Sequence, residues 1–459
     1  MLASPLRVCL VTSAHVSNNP RLVKEADALL AAGHAVRVVA MKAREDLSRR
    51  DDALMRGRGW ELRTVAAERH GAPRSAARWL AGALTQKGAR ALHERGLDAA
   101  PIRDRAASRH LAALAAAAAE RRADVVIGHN LAALPAAARA ARRLGASLGF
   151  DVEDLHVEEL PDDAVHAAER GLIEAVERQY IPRCTLLSAA SDGIADEIAR
   201  RYGVERPRVV HNVFPPLAAP DGDGAESGLR PADTRPAVAL SLYWYSQVIG
   251  HGRGIEDAVA ALALLGRPAL LHLRGELDPA FASRLQEVAR KAGVEQAVRI
   301  LPPAPADDLV ALAAEHDVGL ALEVPRTLNR ALCVTNKVFT YLAAGVAVAA
   351  TGTPGQRAVL ERCGEAAILY PSGHPELLAE GLRRWADSPP ALARARAAAA
   401  AAARETFSWE RDAAGLVEFI ECRVAAARAD RVRGVAAAPG AIGGLGAGGT
   451  KAYQGGDGA

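Results

Sequence analysis

Two stretches of this sequence carry residue types suited to holding a phosphate. Gly250, Gly252 and Gly254 lie in the run IGHGRGIED, with Arg253 between the last two. Glycines let backbone amides approach an anion closely, and a helix starting after Gly254 adds its positive end. The Arg253 guanidinium fork matches phosphate geometry. Asn336 and Lys337 stand at the start of a second helical pattern, where the lysine can bring a point charge to the same anion. Together these groups suit a reaction in which negative charge develops on a departing phosphate. The plainer alternatives stand beside this: a surface arginine, a solvent-facing lysine, and an Asn336 that only caps its helix.

Acid–base candidates lie elsewhere. His129 closes the run DVVIGH, and Asp151, Glu153, Asp154 and His156 follow in DVEDLH. Either His129 bonds a bound hydroxyl or it serves as a structural cap with Asn130. Asp154 is the carboxylate best suited to orient a hydroxyl or act as base. Glu323 follows an apolar strand pattern and either contacts a ligand or pairs with Arg326 or Arg330.

The elements that must position these residues alternate. Short apolar β-rich runs (7–11, 36–41, 124–128, 146–150, 185–189, 208–210) are separated by helical patterns, which predicts a doubly wound parallel sheet. Residues 216–236 are rich in Pro, Gly, Asp and Ser and read as a linker. A second series then follows, with strands expected at 238–242, 270–273, 298–301, 318–322, 346–350 and 367–369. Ligands gather at the carboxyl ends of such strands, where His129, Arg253 and Glu323 fall.

The order of motifs resembles family 4 of the GT-B glycosyltransferases. Residues 334–345, VTNKVFTYLAAG, resemble the donor-site helix of that family, and VAVAA with TGTPGQ resembles the strand and loop after it. YWYSQVIGHGRGIED, DVVIGHN, DVEDLH, His211-Asn212-Val213 and Phe407-Ser408-Trp409-Glu410 match further landmarks in order, over about residues 6–428. The resemblance implies an α/β fold of two Rossmann-like doubly wound domains facing across a cleft. It implies an N-terminal acceptor domain (1–215) with a basic helical insertion (69–122), the linker, and a nucleotide-sugar domain (237–406). A helix crossing back (407–428) and a disordered tail (429–459) complete the chain. The implied function is transfer of a sugar from a nucleoside diphosphate to a glycan, a lipid-linked or a small acceptor. No metal or other cofactor is expected, the nucleotide sugar being a co-substrate. His129 and Asp154 are the implied catalytic residues. Gly252, Arg253, Gly254, Glu323, Asn336, Lys337 and Thr340 are the implied donor-binding residues. Where the family often carries two glutamates eight positions apart, this chain has Leu332 and Thr340. Two other readings remain: an epimerase of the same fold acting on sugar nucleotides, and a non-catalytic partner protein that binds a nucleotide sugar.

Composition bounds the rest. A net charge of +3 over 459 residues carries no nucleic-acid signature. The five cysteines show no metal-ligand spacing, so neither a zinc site nor a disulfide framework is expected. No signal-peptide pattern or membrane-length apolar run occurs, so a cytoplasmic protein is expected. Residues 69–122 hold eleven Lys or Arg against four acids, a net +7. They read as a solvated insertion or as a platform for an anionic inner-membrane surface, with Trp79, Leu80 and Leu84 inserting shallowly.

Overall fold

The computed structural model describes residues 4–217 and 239–436. Seven strands form the first sheet: β1 (Arg7–Thr12), β2 (Ala35–Lys42), β3 (Glu61–Ala66), β4 (Val125–His129), β5 (Ser147–Val152), β6 (Leu186–Ala189) and β7 (Arg208–Val209). Their spatial order is β3-β2-β1-β4-β5-β6-β7. Six strands form the second: β8 (Leu240–Ile249), β9 (Ala269–Leu277), β10 (Val298–Leu301), β11 (Val318–Ala321), β12 (Ala347–Thr351) and β13 (Ala367–Tyr370), ordered β10-β9-β8-β11-β12-β13. Every pairing is parallel. Both sheets are therefore doubly wound, as their near-continuous apolar strands require when helices cover both faces. Val8 to Val11 and Ala347 to Ala350 are buried throughout.

Strand order reverses between β1 and β4 in one sheet and between β8 and β11 in the other. At such switch points adjacent crossovers leave to opposite faces and open a crevice at the carboxyl ends of the strands. Asn130 marks the first. It is the one non-glycine residue with positive φ (63°) among the described residues. Its amide donates to Thr12 Oγ1 at 2.8 Å, and its Oδ1 accepts from Ser13 Oγ at 2.7 Å. These bonds hold the ends of β1 and β4 together.

The last helix, Trp409–Ala436, returns to the first sheet, where Leu416, Ile420 and Val424 pack beside Leu10, Leu22 and Leu29. It runs eight residues past the expected end at 428. Residues 429–436, expected as the start of a disordered tail, thus belong to this helix; the rest of that tail, from 437, and the linker from 218 to 236 lie outside the described residues. β3 was not expected from sequence. The segment expected as a basic insertion holds three helices, Pro73–Glu94, Ala100–Ala107 and Leu111–Ala118. The third is core: Leu111, Leu114, Ala117 and Ala118 pack against Val39, Met41 and Val126.

Candidate active site

The C-terminal half of the site is built at the β8/β11 switch point. β8 ends at Ile249, and Gly250–Gly254 turns into the helix Ile255–Leu265. Gly252 and Gly254 both have φ of +70°, a conformation that disfavours any side chain. A Cβ on Gly254 would also stand 2.5 Å from the Leu322 carbonyl. The glycines thus let the loop press against the end of β11. Arg253 is carried between them, half-buried, with no ion pair or side-chain hydrogen bond among the described residues.

Glu323 lies just beyond β11 and is held there by two cations. Lys337 Nζ is 3.2 Å from Oε1 and Arg330 Nη1 is 2.9 Å from Oε2. Burial raises the carboxyl pKa, but Lys337 and Arg330 outweigh it and hold it down to about 2. Lys337 sits in the first turn of the helix Asn336–Ala343 and lies over the Trp244 ring at 5.4 Å. Gly254, Glu323 and Lys337 therefore meet in one place. Asn336 is exposed at the same helix start, and its Oδ1 accepts from Asn212 of the other domain at 3.0 Å. Thr340 lies one turn deeper and is fully buried, with its hydroxyl 2.7 Å from the Tyr245 hydroxyl.

The N-terminal half centres on His129 at the end of β4. Its ring has no solvent exposure and faces three carboxylates. Nε2 is 3.0 Å from Glu25 Oε2; Nδ1 is 3.5 Å from Asp151 Oδ2 and 3.6 Å from Glu153 Oε1. Burial opposes protonation, but Glu25, Glu153 and Asp151 outweigh it and push the imidazole up to about 10. His129 is thus an imidazolium at neutral pH, buried beneath the cleft. His129, Asp151 and Glu153 are also the one group among the described residues whose ligand-type atoms lie close enough to share a cation, within 4.8 Å. Their chemistry fits one poorly. Arg21 takes both Asp151 oxygens, at 2.8 and 2.7 Å, and Ser188 donates to one of them at 2.5 Å. Against its burial, Arg21 holds the Asp151 carboxyl well below the usual range.

Asp154 follows β5 and reaches the other domain. Its Oδ1 accepts from Asn329 Nδ2 at 2.9 Å, while Asn329 Oδ1 accepts from the Leu155 amide at 2.9 Å. Ser191 donates to the Leu332 carbonyl at 2.7 Å beside it. This clasp brings Asp154 to the domain junction; His129 stays below the surface, apart from the donor-side residues.

Sequence matching agrees with this arrangement. A model described as "Glycosyl transferase 4-like domain" matches residues 19–213, and one described as "Glycosyl transferase-like" matches 271–418. The chain belongs to the GT-B glycosyltransferases of the group 1 type. Similar solved structures span nearly all of it. Sucrose-phosphate synthase from Thermosynechococcus elongatus is 15% identical, with a TM-score of 0.66 over 92% of this chain and 100% of that one. A glycosyltransferase from Rickettsia africae ESF-5 is 13% identical, with a TM-score of 0.62 over 92% and 99%. Anabaena HepE in complex with UDP-glucose is 14% identical, with a TM-score of 0.61 over 91% and 100%. At these identities the likeness speaks for the fold. No curated protein matches the sequence. With both domains assigned to glycosyl transfer, the epimerase and non-catalytic readings are not favoured.

Three residues of the site escaped the sequence reading as ligand or junction groups. Arg326 is exposed beside the glycine loop, its guanidinium 3.7 Å from where a Gly252 Cβ would stand, and no ion pair engages it among the described residues. Its only signal was position, three residues after Glu323. Asn329 carried none, since its partners lie 174 and 175 residues away. Arg21 carried none either, its carboxylate partner Asp151 lying 130 residues away.

Proposed function

We propose that this enzyme moves a hexose-like sugar from a nucleoside diphosphate to an acceptor held by the N-terminal domain, without a divalent ion. The observation that carries this reading is the unpaired Arg253, placed by two left-handed glycines at the β8/β11 switch point beside a helix start. As the bond to the anomeric carbon breaks, charge grows on the diphosphate. Arg253, the helix amides and Arg326 stabilise that charge. Lys337 is the reserve cation: Glu323 neutralises it until an anion arrives. Asp154, fixed by Asn329, orients the acceptor hydroxyl. The imidazolium of His129 acts from below, a fixed positive charge under the carboxylates that close the acceptor side. Thr340, where the family often carries a ribose-holding glutamate, is spent on Tyr245, so exposed groups such as Asn336 hold the ribose. The UDP and UDP-glucose complexes of HepE support the choice of donor class. A panel of nucleotide sugars, incubated with the full chain and EDTA, tests the proposal. Transfer or slow donor hydrolysis is expected. No binding of any donor, or activity abolished by EDTA and restored by Mg²⁺, overturns it.

The acceptor is lipid-linked, and the enzyme works against an anionic surface through the helix Pro73–Glu94. Leu80 and Leu84 are 52% and 63% exposed one turn apart. No helix among the described residues is long and apolar enough to cross a membrane. Two expected contributors are spent elsewhere. Trp79 is half-buried between Arg69 and Arg109, at 5.4 and 4.7 Å, and Arg90 is held by Glu169 at 2.9 Å. Arg74, Arg78 and Lys87 remain without acidic partners among the described residues. Each contributes about 1 kcal/mol near an anionic bilayer. Co-sedimentation with phosphatidylglycerol vesicles is expected at low salt, and loss at high salt or on charge reversal of these three. A wild-type protein left in the supernatant at low salt overturns the membrane reading and points to a free acceptor.

A further inference from the structure

A second concavity lies at the opposite end of the N-terminal sheet from the reaction cleft. Ala146, Ser147 and Leu148 line it at the start of β5, and Thr185 just before β6. Asp151 stands toward the other end of β5, with His129 beside it at the end of the neighbouring β4, on the order of 15 Å away at the usual strand rise. The cavity is about 780 Å³, within the range of small-molecule sites.

Its charge is lopsided. Six arginines line it against two aspartates. Both aspartates are already neutralised: Asp98 by Arg103 at 3.0 Å, and Asp104 by Arg139 at 2.9 Å and the Tyr180 hydroxyl at 2.7 Å. Arg178 pairs with Glu174 outside the lining at 2.6 Å. Three guanidinium groups are left. Arg142 and Arg183 have no partner among the described residues, and Arg431 reaches only the Gly145 carbonyl at 3.0 Å. They come from three separate elements: the helix Leu134–Leu144, the turn Ile181–Arg183 and the last helix. An independent observation points the same way. Ser147 lines the cavity at 2% exposure, and its buried Oγ has no hydrogen-bond partner. An unsatisfied buried hydroxyl is uncommon, and it leaves a donor available to a ligand.

We propose that this cavity is a second ligand site, for a small phosphorylated anion such as a diphosphate or a phosphomonoester. Three like charges lining one cavity repel one another, and an anion among them relieves that repulsion. Guanidinium forks suit phosphate oxygens, and the Ser147 hydroxyl becomes a neutral donor once its side chain turns toward the cavity. The occupant has a structural consequence. Arg431 lies near the end of the helix that begins at Trp409, beside the domain junction, and crosses the N-terminal domain. An anion shared by Arg431, Arg142 and Arg183 fastens that helix end to the domain.

The test uses the full chain with inorganic pyrophosphate, followed by calorimetry and by hydrogen exchange across residues 425–436. Arg253→Ala weakens donor-site binding, and comparison with and without Arg142 and Arg183 in that background isolates the second site, so failure of this site and failure of the donor assignment are read separately. Pyrophosphate is expected to bind Arg253→Ala and to slow exchange in the last helix. The further change Arg142→Ala/Arg183→Ala is expected to weaken binding by about 10–100-fold, as loss of charge-assisted bonds implies. These arginines have no partners to lose among the described residues, and an unchanged urea midpoint checks that the fold is intact. Arms with inorganic phosphate and with UDP separate a bare phosphate from a nucleotide as the source. Absence of pyrophosphate binding in Arg253→Ala, or equal affinity with and without Arg142 and Arg183, overturns the proposal.

Discussion

Arg253 and Lys337 are both assigned to the donor diphosphate, yet the structure predicts different outcomes when each is replaced by alanine. Arg253 has no partner to abandon among the described residues, so Arg253→Ala changes stability by no more than about 0.5 kcal/mol, as for a surface substitution. Lys337 is bound into a buried pair: its side chain is 9% exposed and that of Glu323 7%. Lys337→Ala strands the Glu323 carboxylate with Arg330 alone, and Arg330 is 42% exposed. Breaking a buried pair from one side costs about 3–5 kcal/mol, and the surviving arginine brings this nearer to ~2–3 kcal/mol. With a urea slope of ~2 kcal/mol per molar, the midpoint falls by about 1 M. The cost is also pH-dependent. The depressed Glu323 carboxyl contributes stability above its unfolded pKa of about 4.5 and loses it as pH falls toward 2. The Lys337→Ala deficit therefore narrows in acid. Both variants lose turnover by ~10²–10³-fold, the usual cost of removing a charge that stabilises a developing anion. Urea titrations at pH 7 and pH 4, beside donor hydrolysis rates, separate the two effects. Full turnover in a folded Arg253→Ala protein refutes its phosphate role. An unshifted urea midpoint in Lys337→Ala refutes the account of the buried pair.

Further outcomes follow from the same geometry. His129, raised to about 10 from an ordinary 6.5, contributes stability below pH 6.5 and loses it as pH rises through 10. His129→Gln should lower the urea midpoint at pH 7 and flatten its decline toward pH 10; parallel pH profiles would refute the imidazolium. Asn329→Ala removes two bonds across the junction and should raise the donor KM several-fold, with C-terminal stability changed by about 1–2 kcal/mol at most. A raised kcat with unchanged KM would oppose the clasp. Tyr245→Phe removes one of two bonds of the Thr340 hydroxyl, which keeps its bond to the Asn336 carbonyl at 3.1 Å, and should cost about 1 kcal/mol, read by thermal unfolding with and without UDP.

The fold was legible wherever a strand is buried on both faces. RVCLV, DVVIG and VAVAA read as apolar runs because helices cover both of their sides. β3, Glu61–Ala66, was not, because it pairs only with β2 at the sheet edge and alternates charge with apolar residues. Its Arg63 is engaged by Glu120, 57 residues away. The last helix overran its expected end because Ala429, Asp430, Arg431, Val432 and Arg433 do not break a helix, and Gly434 is the first residue that disfavours one. In the site, Gly252 and Gly254 were legible because positive φ demands glycine locally. His129 was placed correctly at a strand end, but the sequence could not reveal its burial. That depends on Glu25 and Asp151, which arrive from two other elements.

Beside apolar contacts such as Leu332 and Cys333 against the N-terminal core, polar groups also join the two halves of the site, and these have a mechanical meaning. Lys24 donates to Asn212 and to the Val213 carbonyl at the exit from the N-terminal domain, and its ammonium lies near the Phe214 and Trp409 rings. Burial, then Arg21, pulls its pKa down to about 8. Asn212 in turn donates to Asn336, one residue before Lys337. A chain of side chains thus runs from the junction to the donor site, through hydrogen bonds that a bound nucleotide can exchange for its own. A junction held by apolar burial alone would resist opening and product release more strongly. Opening that costs a few hydrogen bonds is compatible with turnover, because water replaces them at small net cost. The polar junction and the reserve cation Lys337 share one logic. In each, a contact within the protein holds a group in place until the substrate offers a better one.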